Sequence, residues 1–204
     1  MKIVFTGIQG CGKGTQARLL VEKYGFTLLE MGAEFRKVVA SGTELGNQVK
    51  AVIESGAQVD AELGKQVMET VVNNQTSDKI IFDGFIRNDW NKEIFDRLVP
   101  EYQVLYFDLS VEKAKHRLLG RMFDPVSGET FVAGTTHNPE TGNELIKRAD
   151  DKDESAILKR ISEYETKTLP ILELQKKEGK VISVNADQPI ESVHTEIIHA
   201  LKLN

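Results

Sequence analysis

The chain has 204 residues, 40% hydrophobic and 28% charged, with 26 basic against 31 acidic side chains and a formal net charge of −5. Such a length can bury a sizeable core without covalent staples. The mildly acidic balance argues against broad nucleic-acid or membrane-surface binding, while leaving room for a local basic pocket.

Cys11 is the single cysteine, so neither an internal disulfide nor a cysteine-based zinc site can form. The opening run "KIVFT" is too short for a secretory core, and glycines interrupt the residues after it. No run approaches the ~18 apolar residues of a membrane span. A reducing, cytoplasmic setting is expected.

In chain order, strands are expected at 2–6 (KIVFT), 27–30 (TLLE), 79–83 (KIIFD), 103–109 (QVLYFDL) and 180–184 (KVISV). Their near-continuous apolar runs suit strands covered on both faces. Helical patterns fall at 13–24, 33–41, 43–54, 60–74, 88–97, 111–120, 152–178 and 189–202. Strand and helix in alternation predict a parallel sheet with helices on both faces. Two stretches break the rhythm. Residues 31–75 carry three helical patterns and no strand, which reads as a helical insertion. Residues 122–147 carry two prolines, Ser127-Gly128 and Thr141-Gly142, with short extended runs between, which reads as a hairpin-rich insertion.

The stretch "GIQGCGKGTQ" (7–16) lies between the first strand and the first helix. Against the phosphate-loop pattern G-x-x-x-x-G-K-[ST], Gly7, Gly12 and Lys13 match, Gly14 takes the hydroxyl position, and Thr15 follows one residue later. Backbone amides in such a turn and the helix N-terminus converge on one anion. Lys13 reaches distal phosphates, and Thr15 supplies a hydroxyl near phosphate or Mg²⁺. Asp83 ends the strand "KIIFD", where a carboxylate faces the loop and holds Mg²⁺ through water.

The set "GxxGxGKGTQ", "MGAEFRKVV", "FDGFIRN", "LLGRMFDPVSGETF", "KRADD" and "KRISEYE" resembles the adenylate kinase family of nucleoside monophosphate kinases, in family order and over nearly the whole chain. The resemblance implies a phosphate-loop core with a five-stranded parallel sheet (1–30, 76–121 and 149–204). It adds a monophosphate-binding insertion (31–75) and a lid (122–148). It implies ATP and a nucleoside monophosphate as partners, Mg²⁺ with ATP, and an ATP site at Gly10, Cys11, Gly12, Lys13, Gly14 and Thr15. Arg117, Phe131 and Gln188 lie toward the donor base. The monophosphate site draws on Met31, Arg36, Ala57, Val59, Gly84, Arg87 and Asn91. Arg87, Arg121, Arg148 and Arg160 meet the phosphates with Lys13, and Asp150 and Asp151 anchor the lid or its arginines. Several arginines suit the task, because phosphoryl transfer is mostly positioning and cationic stabilisation of two polyanions.

Departures from the family pattern are local. Asp124, Ser127, Asn138 and Thr141 stand where longer members carry zinc-binding cysteines, so no zinc is expected. Arg160 is one residue farther from "RADD" than the pattern has it. Met31 replaces a threonine, Ala33 an aspartate, Ile86 a proline, and Asn91 a glutamine that reads adenine. Asn88 and Asn91 lean toward a UMP/CMP kinase, whereas the lid leans toward adenylate kinase. AMP is the first expectation for the acceptor. The histidines are given no chemistry, and the sequence sets no oligomeric state.

Overall fold

A computed structural model describes residues 1–54, 59–147, 151 and 153–203. Its elements, in order, are β1 (Lys2–Thr6), α1 (Lys13–Tyr24), β2 (Thr27–Glu30), α2 (Met31–Ala40), α3 (Glu44–Glu54), α4 (Ala61–Asn73), β3 (Ile80–Asp83) and α5 (Asp89–Leu98). Then follow β4 (Gln103–Asp108), α6 (Val111–Gly120), β5 (Met122–Phe123), β6 (Thr130–Phe131), α7 (Glu154–Glu163), α8 (Leu169–Lys177), β7 (Val181–Asn185) and α9 (Ile190–Leu201).

Strands pair in parallel in the order β2-β3-β1-β4-β7. Alternate residues of each strand feed opposite faces, as pleating requires. Ile3, Phe5, Leu105 and Phe107 pack with α1, α6, α7 and α9. Val4, Phe82 and Val104 pack on the other side with α2, α4, α5 and α8. On that side Phe82, Phe85, Phe95 and Tyr102 meet edge to face, with centroids 4.9–5.9 Å apart. Met31, Val49, Leu63, Val67 and Met68 of the helical insertion join the same cluster.

The chain leaves β1 through α1 to reach the β2 edge, while β4 lies on the other flank. This change of direction opens a crevice at the carboxyl ends of β1, β3 and β4, the usual place for a ligand in such sheets. Residues 122–147 leave the sheet as a small excursion. β5 pairs antiparallel with β6, and single bridges join Phe123 to Ile146 and His137 to Glu144.

One expected element differs. The single helix expected over 152–178 is α7, a π-helical turn over Tyr164–Thr168, and α8. Pro170 stands in the first turn of α8 and donates no amide to the preceding turn, so the hydrogen-bond ladder shifts register just before it. Among the described residues, no helix is long and apolar enough to cross a membrane.

Candidate active site

The phosphate loop is built from close approaches. A Cβ on Gly7, at φ +146°, would sit 2.8 Å from the Phe107 carbonyl oxygen. One on Gly10 would meet the Ala114 carbonyl oxygen and Leu118 of α6, each at 3.1 Å. These glycines let the loop nest between β4 and α6. Lys13 folds back over the loop. Its Nζ donates to the carbonyl oxygens of Gly7 at 2.7 Å and Ile8 at 3.2 Å, and lies 3.4 Å from Cys11 Sγ. The ammonium is thus held at the mouth of the loop. An arriving phosphate oxygen, being anionic, makes a stronger charge-assisted bond than these neutral acceptors. Cys11 is buried and fills the loop's interior, and Thr15 is half-buried on the first turn of α1.

Gln16, the next residue, locks that turn to α9. Its Nε2 donates to the Ile190 carbonyl oxygen at 2.9 Å, and its Oε1 accepts from His194 Nδ1 at 3.0 Å. The sequence alone assigns His194 no task. The signal is a polar residue on the buried face of each helix, visible only once α1 and α9 are known to touch.

At the end of β3, Asp83 lies in register with Phe5 of β1 and Glu30 of β2. Its carboxylate has no hydrogen bond or ion pair among the described residues. A half-buried carboxylate with open acceptor sites at a strand end has the chemistry that suits a hydrated Mg²⁺, a hard cation that takes oxygen ligands. Gly84 follows at φ +76°, and its absent side chain makes room for Arg87. A Cβ there would lie 2.5 Å from Arg87 Nη2. The Arg87 backbone is pinned on both sides. Its N–H donates to Asn91 Oδ1 at 3.3 Å, and its carbonyl oxygen accepts from Thr168 Oγ1 at 3.0 Å. Asn88 caps α5 by accepting from the Asn91 N–H at 2.9 Å. Arg36 is exposed on α2, and Met31 is turned into the core beside Val67. Val59 is half-buried.

Asp151 gathers two arginines. One carboxylate oxygen accepts from Arg121 at 2.7 Å through Nε, with Nη2 at 2.5 Å. The other accepts from Arg160 Nη1 at 2.8 Å. The Asp151 side chain is fully buried, and the Arg121 and Arg160 side chains are 16% and 24% exposed. The longer spacing does not keep Arg160 away. Arg121 follows α6, whose Leu118 touches Gly10, so the pair lies on the flank of the phosphate loop. On the same flank Arg117 donates to the Ala186 carbonyl oxygen at 3.1 Å. The Gln188 amide is taken up by the Asn185 carbonyl oxygen and Glu196. Phe131 lies half-buried on β6. Ala57, Arg148 and Asp150 lie outside the described residues.

The excursion holds itself together with a polar cluster. Asp124 is fully buried and accepts from Asn138 Nδ2 at 2.7 Å, the Val126 N–H at 2.8 Å and Asn143 Nδ2 at 3.1 Å. Burial pushes the Asp124 carboxyl upward, but these donors outweigh it and hold it well below the usual carboxylate range. Asn138 Oδ1 in turn accepts from the N–H groups of Glu140 and Thr141. Of the four positions matched to zinc ligands elsewhere, Asp124 and Asn138 are centres of this cluster.

A family model described as adenylate kinase matches residues 5–180. The chain belongs to the adenylate kinase family. It is 35% identical over 212 residues to an adenylate kinase of Chloroherpeton thalassium, covering 97% of this chain and 96% of that one. An adenylate kinase of Thermodesulfovibrio yellowstonii is 33% identical, with 99% of both chains covered. Adenylate kinase 2 of Schistosoma mansoni is 32% identical over 96% of this chain and 86% of its own. The chain is accordingly a phosphotransferase of the nucleoside monophosphate kinase type, and the five-stranded parallel sheet is the one expected of this family.

Proposed function

We propose that the protein transfers the γ-phosphoryl of ATP to AMP, giving two ADP, with Mg²⁺ bound to the donor and held by water on Asp83 and by Thr15. The observation that carries this reading is the Asp151-held pair of arginines beside the phosphate loop. A module that only binds nucleotide gains little from two arginines fixed by one buried carboxylate. A phosphoryl-transfer site needs them, because charge spreads over the transferring oxygens. Lys13 leaves its loop carbonyls for the distal phosphates. Arg36 and Arg87 clamp the acceptor phosphate, and Arg121, Arg148 and Arg160 neutralise the moving charge. Bound Mg²⁺ supplies further neutralisation of the phosphate oxygens. No side chain has to act as a proton carrier or nucleophile for this chemistry.

Residues 31–75 and 122–148 act in this reading as the monophosphate-binding unit and the lid over a core of the remaining segments. Lid closure excludes water, so that the phosphoryl group meets the acceptor and not the solvent. The single cysteine and the charge balance suit a cytoplasmic setting.

Base choice is looser than phosphate choice. Asn91 Oδ1 already accepts from the Arg87 N–H, which leaves one lone pair and the amide donors for a base, and Met31 offers neither donor nor strong acceptor. A lost neutral hydrogen bond costs on the order of 1 kcal/mol, under tenfold in binding. A coupled assay with ATP and AMP, CMP, UMP or GMP is expected to show AMP preferred and measurable CMP or UMP turnover beside it. No turnover with any monophosphate would reject the proposed function. A preference for CMP or UMP would reassign the acceptor.

A further inference from the structure

Glu129 precedes β6, and its two carboxylate oxygens meet different parts of the chain. Oε1 lies 3.2 Å from Nη1 of Arg18 on α1. Oε2 accepts from Asn138 Nδ2 at 3.1 Å and from Ser127 Oγ at 3.4 Å. The Asn138 amide is the one that also holds Asp124, and both residues are buried. Glu129 is therefore anchored from its own side before it meets the guanidinium.

A pair of two free surface side chains contributes little, because both must be ordered to form it. Here one partner is already ordered, so most of the ordering cost falls on Arg18. Its side chain is 33% exposed and that of Glu129 is 27%, so the pair is also partly shielded from solvent. Among the described ion pairs it alone joins residues 122–147 to the rest of the chain. Arg18 lies five residues beyond Lys13 on the same helix, about 7.5 Å along the axis at ~1.5 Å per residue. The phosphate-loop helix and the polar cluster of the excursion are thus tied through one carboxylate.

We infer that Arg18 and Glu129 are a positioning pair that holds the lid hairpin against the donor flank of α1, and that ATP affinity and its salt dependence run through it. This rests on the reading of residues 122–148 as a lid over the donor site. The pair acts on placement of the hairpin and touches no reacting atom, so its effect belongs to the ATP site and not to the AMP site.

The test is steady-state kinetics of the native protein, Arg18→Gln and Arg18→Lys at low and high NaCl, each substrate varied with the other saturating. Arg18→Gln is expected to raise KM for ATP about two- to fivefold at low salt. KM for AMP and the thermal midpoint stay at native values. The native KM for ATP rises more steeply with salt than that of Arg18→Gln, and Arg18→Lys recovers most of the native behaviour. Equal rises in both KM values, no rise at all, or no recovery with lysine would overturn the pair's role. Hydrogen exchange with diadenosine pentaphosphate separates the two readings. Protection of residues 122–131 in the native protein with unchanged kinetics in Arg18→Gln rejects the pair alone. Absence of that protection rejects the lid and the pair together.

Discussion

At the scale of single residues, the site depends as much on atoms left out as on atoms present. Gly84 occupies a left-handed conformation and yields its side-chain space to the Arg87 guanidinium. Gly84→Ala would place a methyl group 2.5 Å from Arg87 Nη2 and strain the backbone as well. The protein folds around Phe82, Phe85 and Phe95, which this change does not touch. Displacement of a substrate clamp by about an ångström costs on the order of 10²-fold in rate. The expected outcome is a loss of that size in kcat/KM for AMP with KM for ATP unchanged. Equal loss toward both substrates would mean that Arg87 does not belong to the acceptor side. Asp151 shows the complementary case, since one buried carboxylate sets the direction of two arginines that sequence spacing could only place near the lid.

At the scale of elements, the sheet was legible because its strands are short apolar runs between helices, and the order of the motifs placed the loop, Asp83 and Arg87 at strand ends. The π-helical turn at Tyr164–Thr168 was not legible, because a 3.6-residue period persists on either side of it. Nor was the seam between α1 and α9, since nothing in the sequence links Gln16 to a residue 178 positions later. That seam carries a pH dependence. His194 Nε2 is buried without a hydrogen-bond partner among the described residues. Burial first, and then the nearby Lys23 ammonium, hold the imidazole below its ordinary value of 6.5. The unfolded chain therefore binds this proton more readily than the folded one. The stabilisation is present above about pH 6.5 and is lost as pH falls below it toward the folded value. Thermal midpoints measured from pH 7.5 to 5 are expected to decline for the native protein and to decline less for His194→Gln, whose amide still donates to Gln16. Parallel curves would show that His194 is not the group responsible.

At the scale of the whole molecule, the proposed site draws on three bodies of residues. The phosphate loop follows β1, Arg87 lies in the turn after β3, and in the Arg121–Asp151–Arg160 group Arg121 and Asp151 flank the excursion while Arg160 comes from α7. Acceptor-base contacts are the least determined, because Met31 packs into the core and Asn91 is partly spent on the backbone. In the proposed function phosphoryl transfer rests on Lys13, whose ammonium donates to the carbonyl oxygens of Gly7 and Ile8 and would exchange them for phosphate. The most direct test compares ATP-dependent phosphorylation of AMP by the native protein and by Lys13→Ala, with circular dichroism and thermal melting to show that both are folded. A cation that follows the transferring phosphoryl contributes more in the transition state than in the ground state. The native protein is therefore expected to form ADP from ATP and AMP, and folded Lys13→Ala to lose about 10²–10³-fold or more in kcat. A folded Lys13→Ala turning over near the native rate would contradict this account.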